Sequence, residues 1–497
     1  MQANHWTDVF ISNRRWLSTL AIVALSVLIA LGGGLFVAVL GGPIALGAIL
    51  GLAVLVMILR RIEIGYAALI AVICLLPFAA LPVNFAFKPT FLDVVLVALF
   101  GVWLLERATG NLGGFVQTPL TLPVLAFLAM ALAAFIAGLA NAPLTQTVAR
   151  HFAEVILSIL LFFLVTDTVR DAQRLSLITR WLIIGGSLAA LVAVILYLLP
   201  DQTSMNLLSS LRVFNYPEGP GVLRYIRDDP ALPQRATGTA IDPNALGGLL
   251  IMMLTLAVPQ LFARRPVLRR GWLIIGLGLM ALALLLSFSR GSFVGVGVAL
   301  GVLGVVRYRK LLLIMLVALA LVLILPQTQG YVTHFFDGLQ VLGDAQGGDL
   351  STQMRVGEYT DALILIQRYP IFGVGFTGTP DIDTYLKVAN LYLMMTSEMG
   401  LVGVATFLVA MATLFGSAWR ARKRAFARPD LEPIWWGFHL ALFGALVGGV
   451  FDHYFFNLDF HHSVTLFWLY VGLAAVSTRL LKEPALERER QGSHQVR

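Results

Sequence analysis

The sequence predicts an all-α fold, a polytopic transmembrane bundle of about fourteen helices. Three observations predict it. Of 497 residues, 58% are hydrophobic and 12% are charged, against about 25% charged in a typical soluble domain. The mean hydropathy is +0.85. The apolar residues also come in runs of roughly 20, the length a helix needs to cross a hydrocarbon core about 30 Å thick.

Those runs lie at 16–40, 42–59, 64–83, 90–105, 118–139, 152–168, 178–199, 245–263, 271–288, 291–306, 311–326, 391–415, 435–453 and 464–481. The first run is too long for a cleavable signal and lacks a processing site. Residues 1–482 read as one membrane domain and 483–497 as a charged cytoplasmic tail. With the N-terminus inside, the inside segments carry Arg14/Arg15, Arg60/Arg61, Arg107, Arg170/Arg174/Arg180, Arg264/Arg265/Arg269/Arg270, Arg307/Arg309/Lys310 and Arg420/Arg422/Lys423/Arg424/Arg428, and the C-terminal end adds Arg479, Lys482, Arg488 and Arg490. The outside turns carry single basic residues such as Lys88 and Arg150. That asymmetry places both termini in the cytoplasm and the protein in the cytoplasmic (inner) membrane. It also accounts for the net charge of +8 without nucleic acid. The single cysteine, Cys74, excludes an intrachain disulfide.

Two outside loops are long, 200–244 and 327–390. The second holds a helix-like stretch, MRVGEYTDALILIQRY at 354–369, in which Tyr359, Leu363 and Ile366 recur at helical spacing beside Arg355, Glu358 and Asp361. Such a segment is expected on the membrane surface or over a cavity.

The outside arginines are the informative residues, because topology does not explain them. Arg235 lies in PQRATGTAIDPNALGG, Arg290 in SFSRGS between two helices, and Arg355 opens the amphipathic stretch. A guanidinium at a helix end is costly unless it snorkels or is paired. Its planar fork suits bidentate contact with phosphate oxygens. Three converging arginines would form a diphosphate site at the outer face; snorkelling and local pairing with an acid such as Asp242 are the alternative. Asp242-Pro243-Asn244 reads as a helix start. FDHYFFNLDFHH, 451–462, gathers three histidines and two aspartates. It could bind metal or hold a base, or form an interfacial aromatic belt. No Walker, Rossmann, GxSxG or HExxH pattern occurs. No metal and no cofactor are expected.

Taken in order, RATGTAIDPNALGG (235–248), SFSRGS (287–292), MRVGEYTDALILIQRYPIFGVGFTG (354–378) and NLYLMMTSEMGLVG (390–403) resemble the bacterial O-antigen ligase and O-antigen polymerase superfamily. The resemblance implies transfer of glycan from an undecaprenyl-diphosphate carrier at the outer face. Ligases pass it to the lipid A core and polymerases to another carrier-linked unit. By position, Arg235, Arg290 and Arg355 become the expected catalytic residues, holding the departing diphosphate. Asn244, Asn390 and Ser289 become the expected substrate contacts. The sequence departs from the family where ligases carry a histidine before the motif's Asn: here Ala389 precedes Asn390. Alanine takes no proton, so a base must come from elsewhere, with Glu398, Glu358, Asp383 and the 451–462 cluster as sources. This tilts the reading toward a polymerase-like enzyme, with a ligase second. A lipid-linked glycan transporter or a non-catalytic scaffold is the alternative of another class.

Overall fold

The computed structural model describes residues 56–82, 88–324, 350–378 and 388–482, with positions 51 and 54. The expected span at 16–40, most of that at 42–59, Asp383 and the tail 483–497 lie outside the described residues. The chain divides into two compact units, Met1–Ile64 and Gly65–Arg497. In the first, residues 56–60 are helical. The second holds the rest.

The helices are α1 (Ile62–Leu75), α2 (Phe91–Ala108), α3 (Thr121–Gly138), α4 (Gln146–Thr168), α5 (Ala172–Leu198), α6 (Asp201–Ser210), α7 (Pro243–Leu261), α8 (Arg270–Ser287), α9 (Arg290–Val306), α10 (Arg309–Ile324), α11 (Leu350–Arg368), α12 (Leu391–Phe426), α13 (Glu432–Gly448) and α14 (His461–Leu480). Apart from the two at the N-terminus, each expected span corresponds to one of them. Seven are long and apolar enough to cross a membrane. α7 and α14 are buried nearly all round, so they form the interior. α7 packs on α13, and α14 on α4. The outward faces are apolar: Leu122 of α3 is 75% exposed and Ile324 of α10 is 74% exposed. Contiguous apolar surface of this kind fits lipid, not water.

The helix starts follow from their caps. Thr90 and Asp93 form a reciprocal capping box on α2, Thr145 caps α4, Asp171 caps α5 and Asp242 caps α7 with Pro243 in the first turn. Among the arginines assigned to inside loops, Arg107 bonds Asp167, and Arg479 bonds the Thr166 and Val169 carbonyls at the end of α4. Arg307 pairs with Glu432. These cations satisfy helix-end carbonyls and single acids, as cations near helix C-termini do.

The loop at 200–244 is more ordered than a connecting loop. It contains α6 and a two-stranded antiparallel pair, β1 (Arg224–Tyr225) with β2 (Gln234–Arg235), in which Arg224 faces Arg235. The Ala236 N–H then donates to the Leu286 carbonyl at the end of α8, 2.8 Å away.

The segment expected as the large outside loop differs in two ways. First, the buried face of α11 is Ala362 and Leu365, while Leu363 is 51% exposed. The helix turns its 358–362–365 side inward because Glu358 accepts the Ala389 N–H at 3.0 Å and the Tyr359 hydroxyl points at the Ala389 carbonyl. Second, residues 373–377 are buried in the bundle. α12 breaks at Gly400, whose backbone is φ 70°, ψ −179°. The groups freed by the break are taken up by the incoming strand of chain. Val374 N donates to Ser397 O at 2.8 Å, Gly375 N to Glu398 O at 3.0 Å, and Leu401 N to Pro370 O at 2.8 Å. Broken backbone at membrane depth is tolerated only where protein completes its hydrogen bonds. The contact leaves no room for side chains: a Cβ on Gly400 would lie 2.1 Å from Ile371 O, and one on Gly375 2.3 Å from Gly138 Cα.

Gly400→Ala is expected to lower the thermal midpoint in detergent sharply, because the left-handed backbone alone costs about 1–3 kcal/mol before the clash is relieved. Gly297→Ala, a helical position with open space around its Cβ, is expected to be neutral or slightly stabilising. Equal midpoints for the two variants would contradict the stitched break.

Candidate functional site

The site is assembled from four chain segments that meet at one end of α7, α9, α12 and α13. The first is β2. Arg235 donates from Nε to the Ser287 carbonyl at 2.9 Å and from Nη2 to Asn244 Oδ1 at 2.6 Å. It therefore caps the C-terminus of α8 and reaches the first turn of α7 together.

The second segment is the break between α8 and α9. Phe288 takes a left-handed conformation, φ 53°, which turns the chain so that Ser289 and Ser292 face inward and share a hydrogen bond of 2.8 Å. Both serines are buried. Gly247 of α7 lies against them, and a Cβ there would sit 2.2 Å from Ser292 Oγ. Arg290, half-buried, is the first residue of α9, between Ser289 and Gly291.

The third segment is the start of α12. Asn390 accepts from the Tyr392 and Leu393 N–H groups and donates Nδ2 to the Val450 carbonyl at 2.9 Å. Its side chain caps the helix and ties it to the turn after α13. Leu391 N adds contacts to Gly449 O and Asp452 O at 2.7 and 3.0 Å.

That turn, 449–457, is the fourth segment and supplies the acid. Asp452, Tyr454, Asn244, Ser289 and Gly449 line one narrow cleft of about 20 Å³, room for one water. The Tyr454 hydroxyl donates to Asp242 Oδ1 at 3.0 Å, the oxygen that also caps α7. Burial pushes the Asp452 carboxyl up to about 7, with the nearby Asp242 carboxylate acting the same way and the His453 N–H and Arg355 opposing. Burial lowers the Arg235 guanidinium below its ordinary value, opposed by Asp242, Tyr454, Asp228 and Asp452. A guanidinium nonetheless stays charged. Arg235 and Arg355 are thus both within electrostatic reach of one half-buried acid, Asp452.

Of the expected residues, Asn244 and Ser289 line the cleft, Arg235 bonds Asn244, and Arg355 lies within electrostatic reach of Asp452. Arg290 lies at the cleft's edge by its backbone position, and Asn390 joins through Val450. The backbone at Ala389 is held by α11, and its methyl offers nothing to ionise. Among the other proposed bases, Glu358 spends an oxygen on Ala389 N, and Glu398 is buried at the break of α12. The 451–462 histidines do not form one cluster. His453 lies beside Asp452, His461 faces Glu154 and Asp93, and His462 meets Phe78 edge to face, ring centroids 4.9 Å apart. Sequence reasoning placed Asp452 only within that cluster and missed Tyr454. The available signal was an acid and a tyrosine in an apolar turn directly after a membrane helix.

Because the folded Asp452 holds its proton up to about 7 where the ordinary value is 3.8, stability falls as pH rises through that window, since the unfolded chain binds fewer protons there. Asp452→Asn cannot ionise. Its unfolding free energy is expected to gain on the wild type's from about pH 4 to about pH 7 and to level off above that, by an amount of the order of a few kcal/mol. A difference that does not vary with pH would refute the carboxyl's titration.

Residues 275–408 match the family model described as O-Antigen ligase. The matched stretch runs from within α8 to within α12, and so contains the serine-arginine break, α11 and the stitched kink. No curated protein matches the chain.

Proposed function

From a chain whose residues 275–408 match the O-antigen ligase family model, we propose an enzyme of surface polysaccharide assembly. It takes glycan from an undecaprenyl-diphosphate carrier at the outer face of the cytoplasmic membrane and is polymerase-like in its acceptor, another carrier-linked glycan. The observation that carries this reading is the gathering of Arg235 and Arg355 around Asp452, beside a cleft walled by Asn244 and Ser289.

The chemistry follows from charge. When the bond between the anomeric carbon and the carrier phosphate breaks, its electron pair leaves with the diphosphate. Arginines already fixed at that position stabilise the growing negative charge without reorganising. Arg235 is fixed by Ser287 and Asn244. Arg290 and Arg355, both half-buried, complete a phosphate-binding mouth. The cleft itself admits little more than a water, so the diphosphate occupies the mouth. The acceptor hydroxyl must lose a proton as its oxygen attacks. Asp452 takes that proton in place of the imidazole that Ala389 lacks. Its backbone carbonyl is bonded to Leu391, two residues beyond Ala389, and its carboxyl at about 7 is matched to a base working near neutral pH. The ligase reading is the second, favoured by the description of the matched family.

The test is the surface glycan of a deletion strain, separated by size, with add-back of wild type or variants. Loss of long chains with single units still attached to their anchor supports the polymerase. Loss of all attachment with carrier-linked polymer accumulating means a ligase. An unchanged profile would sink both and favour a transporter or scaffold. Arg235→Ala and Arg290→Ala are each expected to lower transfer by roughly 10²–10³, the usual loss for one preorganised charge-stabilising donor. With purified enzyme, the transfer rate is expected to rise with pH through about 7 as Asp452 loses its proton. Asp452→Asn should flatten that profile at a much lower rate; a retained pH step in the variant would remove Asp452 from the reaction.

A further inference from the structure

A second group of ionisable residues lies apart from the arginine cleft, in the first turns of α2 and α14 and in the third turn of α4. Asp93, Glu154 and His461 place one ligand atom each within 4.8 Å of one another. His461 is 7% exposed and Glu154 is 4% exposed. His461 Nδ1 stands 3.6 Å from Glu154 Oε2 and 3.9 Å from Asp93 Oδ1. Both distances exceed those of a hydrogen bond. Asp93 Oδ1 has no hydrogen-bond partner among the described residues. Two carboxylates and the Nδ1 side of an imidazole therefore face one another, Glu154 and His461 buried and Asp93 half-buried.

The remaining oxygens show why the three atoms point inward. Asp93 Oδ2 accepts the Thr90 N–H at 2.7 Å as part of the capping box. Glu154 Oε1 faces Arg150 Nε at 3.0 Å. Arg150 is held in turn by the Lys88 carbonyl at 2.8 Å. Each carboxylate thus has one oxygen anchored and the other turned toward His461. Outer partners that orient inner ligands in this way are the usual surroundings of a metal site. A buried acid beside a half-buried one is costly when both are ionised without a positive charge between them. The spacing suits such a charge, because ligands each about 2.1 Å from a tetrahedral ion lie about 3.4 Å from one another.

We propose that Asp93, Glu154 and His461 bind one divalent transition cation of the zinc class, with a fourth position open to water. Mixed oxygen and imidazole ligands favour such an ion over calcium or magnesium, which prefer oxygen alone. Of the three ligands only His461 lies in the 451–462 stretch whose histidines suggested a metal; Asp93 and Glu154 are far from it in the chain and follow no spacing motif. A cation there joins three helices, one of which follows directly on the 449–460 turn that carries Asp452.

The test uses the full chain in detergent, purified through a tag without histidine, loaded with zinc and desalted. Elemental analysis is expected to find about one zinc per chain. Cobalt loading should give the strong visible absorption of a low-coordinate site. Glu154→Gln and Asp93→Asn, which preserve shape, and His461→Ala should lose the metal while keeping the thermal midpoint that wild type shows in EDTA. Wild type without zinc, or with cobalt only in its weakly absorbing hydrated form, would overturn the proposal even if every variant failed to fold. So would equal zinc in wild type and variants, which would mean adventitious binding elsewhere.

Discussion

The interior of this protein depends on one backbone arrangement, the break of α12 at Gly400 and the chain that closes it. A helix broken inside an apolar bundle exposes carbonyl and amide groups that cost several kcal/mol each if left unmet. Here Pro370, Val374 and Gly375 meet them. The same segment presses on the end of α3, where the Asn141 side chain donates to the Val374 carbonyl at 2.8 Å and the Thr377 hydroxyl to the Gly138 carbonyl at 2.7 Å. The short upper piece of α12, with Asn390 at its head, is thereby held at a fixed angle, and through Val450 and Gly449 it sets the turn that bears Asp452. Backbone pairing deep in the bundle and the position of a half-buried acid at its end form one connected structure.

Small residues complete it. Gly291 and Gly295 of α9 pass so close to α13 that a Cβ on either would lie within 3 Å of Phe451 or of the Gly444 carbonyl. Close approach of this kind replaces the hydrophobic drive that lipid does not provide. It also brings the Ser289–Arg290 break against the 449–454 turn, which neither helix would reach with larger side chains between them.

The two ends of the bundle use arginine differently. Arg107, Arg307 and Arg479 neutralise single acids or cap helix carbonyls, and nothing about them calls for a ligand. Arg235 also caps a helix, but it does so beside a cleft that holds a half-buried acid and several hydroxyl groups.

The amino-acid sequence by itself determined the class of fold and nearly every helix, because hydrocarbon imposes a length and a composition on any segment that crosses it. It also marked Arg235, Asn244, Ser289 and Asn390, since polar groups next to apolar runs stand out. The tertiary structure alone decided the rest. Periodicity did not show which side of α11 packs on protein: Ala362 is buried and Leu363 half exposed, and spacing does not distinguish a core neighbour from lipid. The glycines at 373, 375 and 400 look like loop residues in sequence; their necessity lies in a contact between segments some 25 residues apart in the chain. The acid at 452 and the triad of Asp93, Glu154 and His461 carry no local signature. Their chemistry arises from burial and from neighbours that only folding brings together.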